Sequence, residues 1–227
     1  MGKTRLEAFS DGVVAIVITI MVLELRVPEG GHDLAALRPL LPMFLSYVLS
    51  FVHIGLYWNN HHHMLHATHQ VRGRILWANL HLLFWLSLVP FTTHWVGESP
   101  NQPWPAAVYG SVLLMAAIAY YLLQGSILAL EGPGSTLARA VGSDWKGKTS
   151  PVLYVLGIGL AFVHPWLSYA VYVLNAMIWL IPDRRIERRL DSSGEVRPVV
   201  DDREPISASS LIAPDSTRSG SSEKARP

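Results

Sequence analysis

The N-terminal stretch of residues 5–27 is apolar and long enough to cross a membrane, yet it carries polar and charged side chains near its start. It reads RLEAFSDGVVAIVITIMVLELRV. A spanning helix needs about 20 apolar residues to cross the roughly 30 Å hydrocarbon core of a bilayer. An Asp or Arg at the centre of such a helix costs about 2.5 to 3.5 kcal/mol. Arg5 and Asp11 must therefore lie near an interface or contact polar partners.

The composition is that of a membrane protein. Of the 227 residues, 50% are hydrophobic and 15% are charged, whereas soluble domains carry about 25% charged residues. The absence of cysteine excludes disulfides, thiolate metal ligands and thiol catalysis. A formal net charge of +1 gives no electrostatic basis for binding nucleic acid.

Six apolar stretches predict an all-α integral membrane subunit with six helices. They lie near residues 9–26, 40–60, 75–97, 105–130, 151–164 and 166–183. Pro90 falls inside the third stretch and is expected to kink that helix. Residues 1–189 are therefore predicted to form the transmembrane domain. Residues 190–227, which are rich in Ser, Pro and charged side chains, are predicted to be a disordered cytoplasmic tail.

The distribution of Lys and Arg between the loops predicts that both termini are cytoplasmic, because cytoplasmic loops carry an excess of these residues. They occur before the first stretch, after the second and fourth, and beyond the sixth. The loops at 98–104 and around 165 have none. The first external loop is the exception, because it contains Arg26 and Arg38 beside acidic residues. We therefore expect a multi-pass protein of the cell membrane.

Three polar groups are expected at one depth, near the cytoplasmic surface. They are Arg5, Ser10 and Asp11 at the start of the first helix, residues 59–63 at the end of the second, and Asn79 with His81 at the start of the third. Contacts among them would satisfy a buried carboxylate without water and would hold the first helix against the second and third. Alternatively, the histidines form an exposed turn, which is the favoured interpretation for His66 and His69.

The first helix also carries an aliphatic stripe that points away from Asp11. At about 100° per residue, the stripe contains Val13, Ile16, Ile20, Leu23 and Val27, with Thr19 about 60° to the side. Asp11 lies about 140° around the helix from Ile16. The stripe fits ordinary helix packing or the lining of a pore, and periodicity alone does not separate the two.

Two sequence blocks resemble the transmembrane-protein-175 family of potassium channels. The first is Arg5-x-x-x-Phe9-Ser10-Asp11-Gly12, followed by AIVITIMVLEL. The second comprises Tyr57-Trp58-x-x-His61-His62, Leu76-Trp77-x-Asn79-Leu80 and Pro90-Phe91. The resemblance extends from about residue 3 to residue 183 and is strongest over residues 5–97.

The resemblance implies a cation channel in which the first helices of four subunits surround a central pore. Animal members carry the six-helix unit twice and pair as dimers, which implies a homotetramer here. By register, Ile16 would form the constriction, Thr19 a polar layer, and Ile20 and Leu23 further layers. The residues implied to hold that helix in place are Arg5, Phe9, Ser10, Asp11, Trp58, Asn79 and one of His61, His62 and His63.

The sequence also limits how such a channel can select ions. No TVGYG-like loop is present, so a filter of backbone carbonyls is unsupported. An isoleucine ring can gate by dewetting, and a Thr19 hydroxyl ring can replace part of a cation's hydration shell. We expect K⁺ to permeate with modest preference over other monovalent cations, and we expect no cofactor. Glu24, Glu29 and Asp33 either concentrate cations near the outer mouth or are solvated loop charges.

The His-rich run at 59–69 suggests a second class, a His-box metal enzyme or a metal transporter. Such enzymes use several His boxes with carboxylates nearby, whereas His81 and His94 are isolated and the run contains no Asp or Glu. No nucleophile-base pair or nucleotide motif occurs either. We therefore predict a channel and no enzyme, and stoichiometric bound iron or zinc would favour the alternative.

Overall fold

The computed structural model describes residues 2–25, 33–141 and 145–180, and all regular structure in these ranges is helical, as predicted. A short 3₁₀ helix, Leu34–Leu40, precedes the second α-helix. The α-helices are α1 (Lys3–Leu23), α2 (Leu41–His66), α3 (Gly73–Ser87), α4 (Val89–Glu98), α5 (Pro103–Glu131), α6 (Thr136–Val141), α7 (Trp145–Ala161) and α8 (Pro165–Leu180). The predicted tail at 190–227 lies outside the described residues.

Within the described residues, four helical stretches are long and apolar enough to cross a membrane, as expected of a multi-pass membrane protein. They are Lys3–Leu23, Leu34–His66, Gly73–Glu98 and Pro103–Glu131. Each overlaps one of the first four predicted spans. The helices α7 and α8 are shorter, with 17 and 16 residues. The count of six spans and the cytoplasmic termini stay predictions.

The third apolar stretch is interrupted, as expected from Pro90. Helix α3 ends at Ser87, α4 begins at Val89, and Pro90 occupies the first turn of α4. Proline lacks an N–H donor, and its ring clashes with the preceding helical turn. Beside the interruption, the Ser87 hydroxyl donates a hydrogen bond to the Phe84 carbonyl at 2.7 Å. The stretch therefore consists of two helical segments.

Helix α5 is central and packs against α3, α4, α7 and α8. Several of its buried residues are small, which lets neighbouring helices approach closely. Tyr172 of α8 lies against Gly110 of α5 and Gly157 of α7, where an added Cβ would overlap the tyrosine side chain. These two glycines therefore serve packing within one protomer.

Helix α1 packs on the other side of the fold, against α2, α3 and α4. Its buried side chains recur every three or four residues and form one face: Leu6, Ser10, Val14, Val17 and Met21. This spacing is that of a helix with a single buried stripe. The remaining surface of α1 is left for contacts beyond the protomer.

Candidate pore helix and its polar anchor

The aliphatic stripe of α1 is largely uncovered in the protomer. Ile16 is 58% exposed and Leu23 is 80% exposed, and Ile20 is also exposed. Val13 is partly buried against the core, and Val27 lies outside the described residues. We call Ile16, Ile20 and Leu23 the aliphatic ridge. Burying such side chains is favourable, so the ridge marks a surface that meets lipid, another subunit or a pore.

Thr19 lies beside the ridge and is exposed. Its hydroxyl donates to the Ile16 carbonyl at 2.9 Å. A hydroxyl has one donor hydrogen and two acceptor lone pairs. Because the hydrogen is used within the helix, the oxygen lone pairs remain able to coordinate a cation or accept from water.

A chain of three hydrogen bonds fixes the opposite face of α1. His61 Nε2 lies 2.7 Å from Asn79 Oδ1, and Asn79 Nδ2 donates to Ser10 Oγ at 2.9 Å. Ser10 Oγ donates in turn to the Leu6 carbonyl at 2.8 Å. His61, Asn79 and Ser10 are all buried.

The direction of this chain follows from its last member. A carbonyl only accepts, so Ser10 donates to Leu6 and its oxygen accepts from the Asn79 amide. The Asn79 oxygen is then the acceptor for His61, whose Nε2 must carry the proton. Each member of the chain is thus bonded to the next without water, and α1, α2 and α3 are tied at one depth.

Asp11 has a separate partner. Trp58 Nε1 donates to Asp11 Oδ1 at 2.9 Å, which joins α1 to α2 a second time. The indole ring of Trp58 also lies beside the His62 ring, with centroids 6.0 Å apart. An indole N–H has no acceptor capacity, so the contact specifically satisfies a carboxylate lone pair.

The remaining predicted anchor residues are placed differently. Arg5 is exposed and makes no side-chain hydrogen bond or ion pair within the described ranges, and Phe9 is exposed as well. His62 and His63 are exposed, with their ring centroids 5.7 Å apart. The structure thus brings only His61 of the three consecutive histidines to Asn79.

Lys3 supplies a contact that the sequence argument missed. Its ammonium group donates to the His66 carbonyl at 2.7 Å, which ties the start of α1 to the end of α2. Cations near a helix C-terminus are favourable because the last carbonyls are otherwise unpaired. The signal in the sequence was the lysine at the predicted cytoplasmic interface.

His69 lies beyond α2 and is exposed, as the sequence suggested. Its Nδ1 lies 2.9 Å from Glu131 Oε2, and its backbone N–H donates to Glu131 Oε1 at 2.7 Å. Glu131 ends α5, so this carboxylate connects two distant parts of the chain. Within the described residues, no group of three or more His, Cys, Asp or Glu side chains could hold a metal ion.

A surface groove of about 420 Å³ adjoins the aliphatic ridge. It is lined by Ile16 and Ile20 from α1 and by Ser87, Phe91 and His94 on the interrupted third stretch, among others. A groove of aliphatic and aromatic side chains at an uncovered ridge is an apolar surface that the protomer leaves open.

Two titratable groups, Glu24 and His94, line the end of this groove, and a third, Glu98, contacts His94. His94 Nδ1 lies 3.6 Å from Glu24 Oε2, and His94 Nε2 lies 3.2 Å from Glu98 Oε1. Glu24 directly follows α1. Partial burial raises the pKa of the Glu24 carboxyl, an effect that His94 opposes and Glu98 reinforces.

Sequence and structure comparisons converge on one group of proteins. A family profile described as endosomal/lysosomal potassium channel TMEM175 matches residues 5–90. A potassium channel of a Chryseobacterium species is 55% identical over 190 residues, which are 84% of this chain and 98% of that protein. A potassium channel of Streptomyces collinus is 32% identical, with 77% of this chain and 90% of that protein covered.

More distant similarities agree. The human endosomal/lysosomal proton channel TMEM175 is 40% identical over 96 residues, which are 37% of this chain and 19% of that protein. The fold matches the crystal structure of a lysosomal potassium-selective channel TMEM175 homolog from Chamaesiphon minutus, with a TM-score of 0.69 and 29% identity. That match covers 79% of this chain and 96% of the solved chain.

Proposed function

Because the chain belongs to the TMEM175 family of potassium channels, we propose that it is a potassium-permeable cation channel of the cell membrane. The bacterial relatives that the chain matches over nearly their whole length are named potassium channels, which supports ion conduction over an enzymatic function. The pore is formed by α1 from four copies of the chain. The observation that most supports this pore is the aliphatic ridge, which is uncovered on a helix whose opposite face is held by hydrogen bonds.

The assembly follows from the number of pore helices available. The Phe-Ser-Asp-Gly motif occurs once in the chain, and one helix cannot enclose a pathway. Several subunits must each contribute one α1 around a shared axis, and closed rotational symmetry is the usual solution. The resemblance to the family, whose animal members carry the six-helix unit twice and pair as dimers, implies four copies, and rotational symmetry gives every α1 the same orientation.

Ion selection in this arrangement depends on side chains. A ring of four Ile16 side chains forms the narrowest point, and its apolar surface opposes wetting. Thr19 lies next to this ring and offers hydroxyl lone pairs that replace part of the hydration shell of K⁺. Ile20 and Leu23 form wider layers toward the outer mouth. Only modest discrimination between K⁺ and Na⁺ follows, because no cage of carbonyls surrounds the ion.

The polar anchor gives the ridge its orientation. Bonds through Ser10 and Asp11 hold α1 by the face opposite Ile16, so rotation of the helix about its axis breaks contacts to α2 and α3. A helix fixed in this way presents the same side chains to the axis in all four subunits. The anchor residues are therefore scaffold and do not contact the permeating ion.

The test is a flux assay on purified protein in liposomes, with K⁺ and Na⁺ gradients compared. Ile16→Ala should raise the flux of both ions and reduce the preference for K⁺, because the constriction widens. The matched control is Ile118→Ala, which truncates an exposed isoleucine on α5 and should leave flux unchanged. Wild-type liposomes without cation flux would refute the channel assignment, and equal effects of both variants would refute the constriction.

A further inference from the structure

A small, partly open cavity lies among α2, α5, α7 and α8, and no residue of α1 lines it. Its volume is about 50 Å³. Since one buried water needs roughly 10 to 15 Å³, the cavity has room for several small molecules of that size. The side chains that matter most are His53 on α2 and Asn175 on α8, with aromatic walls that include Tyr57, Tyr154 and Trp179.

His53 presents an unpaired acceptor to this cavity. The residue is 2% exposed, and its Nδ1 lies 2.9 Å from the Leu49 carbonyl of the preceding turn. Because a carbonyl only accepts, Nδ1 carries the proton of the neutral ring, and Nε2 is left with a lone pair. Nε2 is buried and has no hydrogen-bond partner in the described structure.

Asn175, on α8, presents a second acceptor to the cavity. It is also 2% exposed, and its Oδ1 is buried without a partner in the described part of the chain. Buried polar atoms are almost always paired with protein or with ordered water. Two unpaired acceptors lining one cavity therefore indicate an occupant that donates hydrogen bonds.

Two of the N–H donors around the cavity are already used. Asn60 Nδ2 donates to the Leu56 carbonyl at 2.7 Å, and Trp179 Nε1 donates to Ser150 Oγ at 2.8 Å. No Asp, Glu, Lys or Arg of the described ranges lines the space. A charged occupant would have no counter-ion there, so the chemistry favours an uncharged molecule with O–H donors.

We propose that this cavity is a binding site for small uncharged hydroxyl compounds. It holds a cluster of ordered waters that donate to His53 Nε2 and Asn175 Oδ1, and short-chain alcohols displace them. Several further lining groups, including Ala117 and Ala176, are apolar, which suits the carbon atoms of an alcohol. The site differs from the pore, because it lies within one protomer and between helices that do not include α1.

Occupancy has a structural consequence. His53 is on α2 and Asn175 is on α8, so molecules bound to both connect these helices. Helix α8 packs chiefly against α7 and makes smaller direct contacts with α5 and α2. The bound cluster therefore adds hydrogen bonds to the direct packing between α8 and α2.

The first test is a high-resolution structure of the full-length protein in three preparations: without additive, with ethanol, and under xenon pressure. We expect water density within hydrogen-bond distance of both acceptors, ethanol replacing part of it, and no xenon, because xenon enters dry apolar cavities. A cavity that shows no water density without additive and takes up xenon under pressure would overturn the proposal. Density in the cavity that appears only with an added ammonium salt would overturn the assignment of an uncharged ligand.

The second test measures ethanol affinity through the fluorescence of the purified protein. Asn175→Leu removes one acceptor and should weaken ethanol binding by roughly twofold to tenfold, the range for loss of one hydrogen bond. Asn59→Leu is the matched control, because Asn59 is an exposed asparagine of α2 outside the cavity. Equal affinities in the two variants would contradict the site.

Discussion

Replacing Asn79 with alanine tests the polar anchor most sharply. The fully buried amide accepts from His61 and donates to Ser10, so the substitution removes two hydrogen bonds. Side-chain hydrogen bonds in membrane proteins are worth about 0.6 kcal/mol on average, which gives about 1.2 kcal/mol for the pair. The His61 N–H is also left buried without an acceptor, which raises the loss to about 2 kcal/mol.

One effect opposes this loss. Alanine is a better helix former than asparagine by about 0.5 kcal/mol, so the net loss should be about 1.5 kcal/mol. This corresponds to a change of roughly tenfold in the folding equilibrium. The measurement is SDS-induced unfolding in mixed micelles, followed by circular dichroism.

Asn59→Ala is the matched control for this experiment. Asn59 is an exposed asparagine of α2, so its replacement should change stability by no more than about 0.5 kcal/mol. If Asn79→Ala were no more destabilising than Asn59→Ala, the chain from His61 to Ser10 would contribute nothing. The reasoning about the anchor would then be wrong.

Three further predictions concern other contacts. Trp58→Phe keeps an aromatic ring and removes the single N–H bonded to Asp11, so unfolding in SDS should show a smaller loss of about 0.6 kcal/mol, the average for one such bond in a membrane protein. A loss larger than that of Asn79→Ala would contradict this order. Gly157→Ala forces a methyl group into a buried tyrosine and should cost about 1 to 3 kcal/mol, whereas Gly159→Ala meets open space and should be neutral or stabilising; equal melting temperatures would refute the packing argument. The folded-state pKa of Glu24 is raised above 4.5, so its contribution to stability is full below that pH and is lost as the pH rises through the folded pKa. The melting temperature of Glu24→Gln should therefore exceed that of wild type by a margin that grows from acidic to neutral pH. Melting temperatures of the two proteins that change in parallel with pH would contradict this.

The sequence predicts the depth of these polar residues in the membrane, but it does not predict which of their side chains point toward each other. Placing Ser10, Asp11, Trp58 and Asn79 near one membrane surface required only the positions of the apolar stretches. Choosing among three consecutive histidines required the rotation of α2 about its axis, because adjacent residues on a helix point about 100° apart. That rotation is set by packing against α1 and α3, which no single stretch of sequence encodes.

The sequence predicts that these helices are present more accurately than it predicts where they end. The second span was expected near residues 40–60, yet α2 continues to His66. Hydropathy marks the part of a helix that crosses the lipid, whereas backbone hydrogen bonding continues into the polar interface. The same limit applies to α1, which begins at Lys3.

The groups at the end of the groove show why tertiary contacts escape a sequence reading. His94 and Glu98 are four residues apart on one helix, so their proximity was visible in the sequence. The contact of His94 with Glu24 was not, because it depends on α1 packing beside α4. Pairings between distant segments need the fold.

Cysteine accessibility in liposomes tests most directly whether the aliphatic ridge of α1 faces a shared aqueous pathway. The chain has no native cysteine, so each introduced thiol is the sole target of a water-soluble methanethiosulfonate reagent. Val17→Cys is the control, because Val17 is 4% exposed and lies on the buried face. The account predicts that the reagent blocks K⁺ flux through Ile16→Cys and leaves Val17→Cys conducting. Flux through Ile16→Cys that persists in the reagent, or equal block of both variants, would contradict it.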